Sequence, residues 1–181
     1  VDFSVIVNFK SKIIEAYFKD VKLKKELNFI KENIFLGTAG GLKLIENRIK
    51  NDFFFTNCDV LLDIDYHEFY LFHKKNKFDL SVVIVPKPFK FPYGSVETLN
   101  HNLIKINEKP ELKFLINTGM YLINPKILNI IPKNVKYDFD TLIKDCKKKN
   151  FKVGAYIAKE KSWLDIGEWD HYKSTLKKLK I

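Results

Sequence analysis

The 181-residue chain contains a single arginine, Arg48, although lysine and arginine together number 32 and the formal net charge is +10. That imbalance argues against nucleic-acid recognition. The planar guanidinium is the favoured reader of phosphates and guanine edges, and the lysines here are scattered along the whole chain instead of clustering with stacking groups. The lysine runs "CKKKN" and "KKLK" read as solvated helix ends. The positive charge instead suits the attraction of acidic, phosphorylated small molecules. Cysteine is also scarce. Cys58 and Cys146 lie far apart, form no CxxC, and the four histidines (His67, His73, His101, His171) show no zinc-site spacing. A reducing, cytoplasmic setting is the expectation.

Other absences narrow the class further. No apolar run reaches the ~18 residues that a membrane-spanning helix needs, and no signal-peptide pattern opens the chain. No Gly-Lys-Ser/Thr follows a glycine-rich loop, so there is no Walker motif, and no Ser/His/Asp or Cys/His constellation offers a protein nucleophile. What the chain has is a hydrophobic fraction of 46% and an aromatic fraction of 14% of all residues, which excludes a disordered polypeptide and suits one domain with a sizeable core.

Runs rich in β-branched and aromatic residues alternate with helical patterns. "FSVIVNF" (Phe3 to Phe9), "LNFIKE", "DFFFTN" and "LSVVIVP" read as strands. Between them, "KSKIIEAYFKD" places Ile13, Ile14, Tyr17 and Phe18 on one helical face, "TAGGLKLIENRI" reads as a helix with Leu42, Ile45 and Ile49 inward, and "YHEFYLFHKKN" reads as a third helix. This β-α-β-α-β-α-β order predicts a parallel sheet with helices on its faces. Further on, "YGSVETLNHNLIKINEKP" reads as two short strands around a turn at Asn100 to Asn102 and "KFLINTGMYLI" as a long strand. "NPKILNIIP" and "DFDTLIKDCKKK" read as helices, "KVGAYIA" and "SWLDIG" as strands, and "EWDHYKSTLKKLK" as a closing amphipathic helix.

In open α/β sheets ligands bind beyond the carboxyl ends of the strands. "FFFTNCDVLLDID" puts Asp59 there, directly after an oily strand. A buried carboxylate costs several kcal/mol unless it is paired or metal-bound, so Asp59 reads either as a Mg²⁺ ligand or as a turn or helix cap. Asp63 and Asp65 read as turn and N-cap residues ahead of the helix at Tyr66. In "SWLDIGEWDHY" Asp165 ends a second apolar run and is either a partner carboxylate or an N-cap-like residue. "LGTAGGL" (Leu36 to Leu42) allows close backbone approach to a flat ligand and is equally a tight turn with a threonine cap. "NEKPE" offers Glu108 for sugar hydroxyls and Lys109 for a phosphate, or is an exposed charged turn. "PYGSVE" and "NTGMY" place glycines beside polar groups, with a strand entry and a bulge as the plainer readings.

The order and spacing of these motifs, "LGTAGGL", "TNCDVLLDID", "PYGSVE", "INEKP", "NTGMYLI" and "WLDIGEWDHY", resemble the sugar-nucleotide pyrophosphorylases, in their mannose-1-phosphate guanylyltransferase-like branch. The resemblance runs from about Phe3 to Lys178. It implies an α/β, Rossmann-like three-layer sandwich with a mixed, mostly parallel central sheet, forming a single nucleotidyltransferase domain over residues 1–181. It implies transfer of a nucleotidyl group, GMP from GTP being favoured, to a sugar 1-phosphate with release of pyrophosphate, and Mg²⁺ as cofactor. It implies no nucleic-acid or membrane partner and leaves a homo-oligomer open. A non-catalytic homologue that binds nucleotide-sugar is the alternative.

Carried over by residue, Gly37, Thr38, Ala39 and Gly40 would lie against base and ribose. Asp59 and Asp165 would hold the metal, with Trp163 packing beside Asp165. Tyr93, Gly94, Glu108, Asn117 and Gly119 would line the sugar pocket, and Lys109 would meet the sugar phosphate; Asp59, Lys109 and Asp165 form the implied catalytic set. A bound cation would offset the desolvation of Asp59. Departures from the family pattern are also visible. The GxGTR signature and its following Pro-Lys pair are missing from this sequence, so either an upstream segment with the first strand and triphosphate loop lies outside it or the protein lacks that loop; the 181-residue piece alone is then expected to be a poor enzyme or inactive. Cys58 replaces the usual glycine of "NGD", where it would crowd the nucleotide or point into the core. Ser95 replaces a usual valine, with little effect expected.

Overall fold

A computed structural model describes residues 2–21, 23 and 25–166 of the chain. The closing helix expected from "EWDHYKSTLKKLK" lies outside these residues, as does His171.

Strand β1 (Phe3–Val7), helix α1 (Ser11–Asp20) and strand β2 (Leu27–Lys31) form a βαβ unit in which β1 and β2 pair in parallel, from Phe3 opposite Leu27 to Val7 opposite Lys31. The helix makes this possible, because parallel neighbours need a crossover long enough to return the chain. β1 stops at Val7, short of the expected Phe9. Of the apolar face read on α1, Ile13 and Tyr17 are each 64% exposed, so the periodic stripe is only partly covered.

The helix expected over "TAGGLKLIENRI" is not continuous. A short helix α2 (Gly37–Gly40) gives way to a 3₁₀ turn, Gly41–Ile45. Adjacent glycines at 40 and 41 carry the largest backbone entropy cost in a helix, and the tighter turn follows them. The inward residues were read correctly in part: Leu42 and Ile45 are buried and Ile49 half-buried. "NPKILNIIP" likewise forms a 3₁₀ turn, Pro125–Asn129, with Pro125 at its start and the Asn124 side chain accepting from the Lys126 N–H. Pro132 closes the run before a full helix can grow.

After strand β3 (Phe53–Thr56) comes a strand not expected from the sequence, β4 (Val60–Leu62), and then helix α3 (Tyr66–Asn76). Asp65 caps α3 as expected, its Oδ1 accepting the N–H groups of His67 and Glu68 at 2.8 and 3.0 Å. Strand β5 (Leu80–Lys90) leads to an antiparallel hairpin, β6 (Ser95–Leu99) and β7 (Asn102–Asn107), with a register irregularity at Glu97/Thr98. Its turn residues Asn100 and His101 both have positive φ, 47° and 67°, as hairpin loops of this twist require. Strand β8 (Glu111–Ile123), helix α4 (Phe139–Lys148), strand β9 (Val153–Ile157) and strand β10 (Trp163–Asp165) complete the described chain. β3, β8, β5 and β9 hydrogen-bond in that order into a four-stranded sheet, and β10 pairs antiparallel with β4. The architecture is the mixed α/β, Rossmann-like one that the alternation predicts.

The chain divides into two compact units. The first comprises residues 2–54, Lys77–Leu80 and Leu122–Val153; Leu36, Leu42, Leu122, Ile127, Ile131 and Leu142 are buried in it. The second comprises Phe55–Asn76, Ser81–Tyr121 and residues 154–166, with Phe69, Val83, Val85, Met120 and Tyr121 buried. The first half of β5, residues 80–85, is buried or half-buried throughout, the pattern of a strand covered on both sides, and its end from Pro88 to Lys90 becomes exposed. Two hydrogen bonds serve buried polar groups beside it: Thr118 Oγ1 donates to the Val83 carbonyl at 2.9 Å, and Ser81 Oγ lies 2.7 Å from His73 Nδ1. Among the described residues no helix is long and apolar enough to cross a membrane.

In the first unit the buried Tyr137 donates its hydroxyl to Asp145 Oδ2 at 2.6 Å. That bond, with the Lys148 ammonium second, holds the Asp145 carboxyl below its ordinary value, while burial and then Asp145 push the Tyr137 phenol up. A carboxylate with a depressed pKa stabilises the fold above its unfolded value of 3.8 and loses that contribution as pH falls through the lower folded value. Tyr137→Phe is therefore expected to lower the melting temperature at neutral pH, with a deficit that shrinks as the pH drops from about 5 to about 2. Thermal melts of both proteins across that range check it; a deficit constant with pH would mean that the bond to the carboxylate is not its source.

Candidate active site

The glycine-rich segment of the first unit is shaped by a partner far away in sequence. Gly37 has φ +78°, and a Cβ there would lie 2.6 Å from Asp138 Oδ1 and 2.8 Å from the Tyr137 carbonyl oxygen, so only glycine fits. The N–H groups of Ala39 and Gly40 both donate to that Tyr137 carbonyl, at 3.0 and 2.9 Å, and the Tyr137 N–H donates to the Leu36 carbonyl at 2.8 Å. Asp138 Oδ1 accepts from the Thr38 N–H at 2.8 Å and from its hydroxyl at 3.3 Å, while Thr38 Oγ1 accepts the Phe139 N–H at 3.0 Å. Ala39 and Gly40 are buried, Gly37 is half-buried and Thr38 is exposed.

Glu32, 7% exposed, borders the same segment: a Cβ on Gly41 would lie 2.5 Å from its Oε1. Burial pushes the Glu32 carboxyl up, against the hydrogen bonds of the Leu36 backbone and the Asn8 side chain. Neither Asp138 nor Glu32 was identified as a site residue from the sequence. The glycines that touch them, Gly37 and Gly41, were the available signal.

In the second unit Asp59 occupies the turn between β3 and β4 and is exposed to solvent. This corrects the expectation that a cation must offset its desolvation. The turn projects the carboxylate into water, and no burial cost has to be met. The structure does bring the two acid-bearing positions together. In the β4–β10 ladder Asp165 is opposite Val60, and one step beyond it the Ile166 N–H donates to the Asp59 carbonyl at 3.0 Å. At the other end of the ladder the Asp63 N–H donates to the Ser162 carbonyl at 2.8 Å. Trp163, opposite Leu62, is half-buried, with the Lys87 ammonium 5.3 Å from its ring centre. Cys58 is exposed beside Asp59, so the thiol does not point into the core.

Beside Asp59 the Asn57 N–H donates to the Gly119 carbonyl at 3.1 Å. Gly119 has φ +81°, and a Cβ on it would lie 2.7 Å from Asn57 Nδ2. The Gly119 N–H donates to Asn117 Oδ1 at 2.9 Å, and Asn117 Nδ2 donates to the Tyr121 hydroxyl at 2.7 Å. Asn117, Gly119 and the Asp59 turn thus form one continuous polar cluster. A second group forms at the base of the β6–β7 hairpin. A Cβ on Gly94 would lie 3.2 Å from Glu108 Oε2, Tyr93 is 71% exposed, and Lys109 is exposed with φ 45°. Lys10 and Lys77 share that positive φ, at 55° and 54°, so it does not by itself mark Lys109 out; next to Lys109 the Phe91 N–H donates to the Pro110 carbonyl at 3.0 Å.

The nucleotidyl transferase family model matches residues 2–180. The chain belongs to that family. It is 30% identical to the mannose-1-phosphate guanyltransferases of Aspergillus oryzae, over 182 residues, and of Saccharomyces cerevisiae, over 184. Each alignment covers 92% of this chain and 48% of the relative, so the chain spans about half the length of the curated relatives it matches. Among solved structures it is similar to HddC from Yersinia pseudotuberculosis, with a TM-score of 0.71, 25% identity, and coverage of 97% of this chain and 77% of that one. A second crystal structure of HddC, complexed with GMP-PN, gives a TM-score of 0.69 at 25% identity.

In this nucleotidyl transferase chain the motifs read from the sequence fall into three local groups: the Leu36–Leu42 segment in the first unit, and the Asp59/Asp165/Gly119 cluster and the Gly94/Glu108/Lys109 group in the second. Asn57 and Tyr121 join the second group; they lie within the motifs "TNCDVLLDID" and "NTGMYLI" but were not singled out there.

Gly119 combines a left-handed backbone with a blocked Cβ position. Gly119→Ala is expected to destabilise the protein by about 1–3 kcal/mol, since the Asn57 amide must move and the backbone must strain. Chemical denaturation measures it; a loss under about 0.5 kcal/mol would mean that the glycine is not required by this geometry.

Proposed function

We propose that the protein to which this sequence belongs transfers a nucleotidyl group, GMP from GTP in the favoured case, to a sugar 1-phosphate, releasing pyrophosphate. The observation that carries the reading is the β4–β10 pairing, which sets Asp59 and Asp165 at neighbouring positions at one end of a two-stranded ladder. Family membership supports the reaction class. The similarity to mannose-1-phosphate guanyltransferases and to a structure complexed with GMP-PN supports the guanine nucleotide.

The donor set fits Mg²⁺. That ion is commonly held by one or two carboxylates, with waters and substrate phosphate oxygens filling the remaining positions. Among the described residues no group of three or more His, Cys, Asp or Glu side chains could hold a metal by itself. Asp59 and Asp165 would hold the ion, which when bound supplies charge neutralisation between two polyanionic reactants. The chain's own groups then position: the 37–40 segment lies against the nucleotide, Lys109 against the sugar phosphate, and Glu108, Tyr93, Gly94, Asn117 and Gly119 around the sugar. The transfer is an in-line displacement that needs orientation and electrostatic stabilisation and no protein nucleophile.

The test uses the longest natural polypeptide carrying this sequence, with GTP, mannose 1-phosphate and Mg²⁺, and follows pyrophosphate. Because Asp59 is exposed, Asp59→Asn should leave stability within about 0.5 kcal/mol of wild type. It should lower turnover at least 100-fold, about 2.7 kcal/mol of transition-state stabilisation. Binding of a nucleotide-sugar without pyrophosphate release, across a panel of triphosphates and sugar 1-phosphates, would establish the non-catalytic alternative instead.

A further inference from the structure

The proposal concerns the Leu36–Leu42 segment and rests on the reading that it lies against a nucleotide. Thr38 carries the hydroxyl of this segment. The structure gives that hydroxyl other work. Its proton is directed at Asp138 Oδ1 at 3.3 Å, and its oxygen accepts the Phe139 N–H at 3.0 Å. Asp138 Oδ1 simultaneously accepts the Thr38 N–H at 2.8 Å. The exchange is reciprocal. Asp138 takes a backbone donor at the start of α2, and Thr38 takes the first backbone donor of α4, although Asp138 makes no side-chain cap bond within its own helix.

The neighbouring bonds reinforce the exchange. The Tyr137 carbonyl takes the N–H groups of both Ala39 and Gly40, and the Leu36 carbonyl takes the Tyr137 N–H. Gly37 must lack a Cβ because Asp138 and Tyr137 fill that space. A hydroxyl has one proton to donate, and here Asp138 receives it. Each side chain therefore fixes the other's backbone, and the segment's shape is set before any ligand arrives, which removes part of the ordering cost of binding.

We infer that Asp138 is a positioning residue for the nucleotide segment, and that Thr38 acts through Asp138, holding the 37–40 backbone in place while leaving ligand contact to the backbone and glycine surfaces.

Amide hydrogen exchange on the 181-residue chain tests this directly, with the β5 amides Val83 to Val85 as the internal reference. Asp138→Ala should speed exchange of the Thr38 amide at least tenfold, and Asp138→Asn, which keeps an acceptor oxygen at the same place, should stay within threefold of wild type. Thr38→Val should speed the Phe139 amide at least tenfold, so the reciprocal half is read on a second variant should the first fold poorly. Equal acceleration at Val83 to Val85 would show general destabilisation and overturn the proposal, as would a Thr38 amide unchanged in Asp138→Ala.

Titration of the longest natural polypeptide carrying this sequence with Mg²⁺–GTP then reads the ligand side. If wild type binds, Asp138→Ala should weaken binding at least tenfold with Asp138→Asn near wild type; equal affinities for the two variants would overturn the positioning role. Wild-type protein that shows no nucleotide affinity would sink the nucleotide reading of the segment and the ligand half of this proposal, while the exchange data would still decide the interlock.

Discussion

The hydrogen bond from the Ile166 N–H to the Asp59 carbonyl is the small constraint on which the candidate chemistry depends. β4 and β10 have three residues each, too short for much stability as an isolated pair. The ladder is lengthened by one bond beyond each end, Ile166 to Asp59 and Asp63 to Ser162. Remove the first of these and the tie between the Asp59 turn and the segment that carries Asp165 rests on the three ladder pairs alone. What the ladder fixes is backbone: Asp165 lies opposite Val60, one position from Asp59 along the chain. Main-chain bonding therefore sets the two acid-bearing positions side by side, the placement on which the proposed metal site rests.

The exposure of Asp59 changes how that placement should be understood. A buried acid would signal a metal through desolvation; an exposed one does so only through placement beside a second acid and a rigid turn. Rigidity comes from the adjacent amide cluster. Asn57 bonds to the Gly119 carbonyl, Gly119 to Asn117, and Asn117 to Tyr121, so each polar group in the series has a defined partner. Such connected networks hold orientation better than isolated bonds do. The +10 charge of the chain adds a long-range attraction for triphosphates and sugar phosphates, weakened by salt, without itself choosing a ligand.

Legibility in the sequence followed the range of the forces involved. Helix α3 and its Asp65 cap, helix α4, and the β6–β7 hairpin were readable because their signals are local: apolar periodicity, a cap residue, and a turn pair tolerant of positive φ. The continuous helix expected after Thr38 failed where Gly40 and Gly41 outweighed the apolar spacing of Leu42, Ile45 and Ile49. β4 was missed because Val60–Leu62 has meaning as a strand only once β10 is beside it. Asp138 was invisible for the same reason. Its local context reads as a helix N-cap, and its side chain instead serves a segment distant in sequence. The exposed Ile13 and Tyr17 show the reverse case, a clean amphipathic pattern whose apolar side is only partly covered in this chain.

The glycines locate the sites better than the charged residues do. At Gly37 the missing Cβ makes room for Asp138, at Gly41 for Glu32, at Gly94 for Glu108 and at Gly119 for Asn57, so four of the chain's glycines each abut a polar side chain in one of the candidate groups. Position 58 is the informative exception, because cysteine stands where the family resemblance anticipates glycine. If that position were crowded in the same way, Cys58 would be forced inward or would distort the turn. It is instead exposed, and the turn still delivers the Asp59 carbonyl to Ile166 at 3.0 Å. The requirement for glycine at this point is therefore not set by the fold of the described chain; any cost of the thiol falls on a ligand that must share the turn with it, since the side chain faces the same solvent that reaches Asp59.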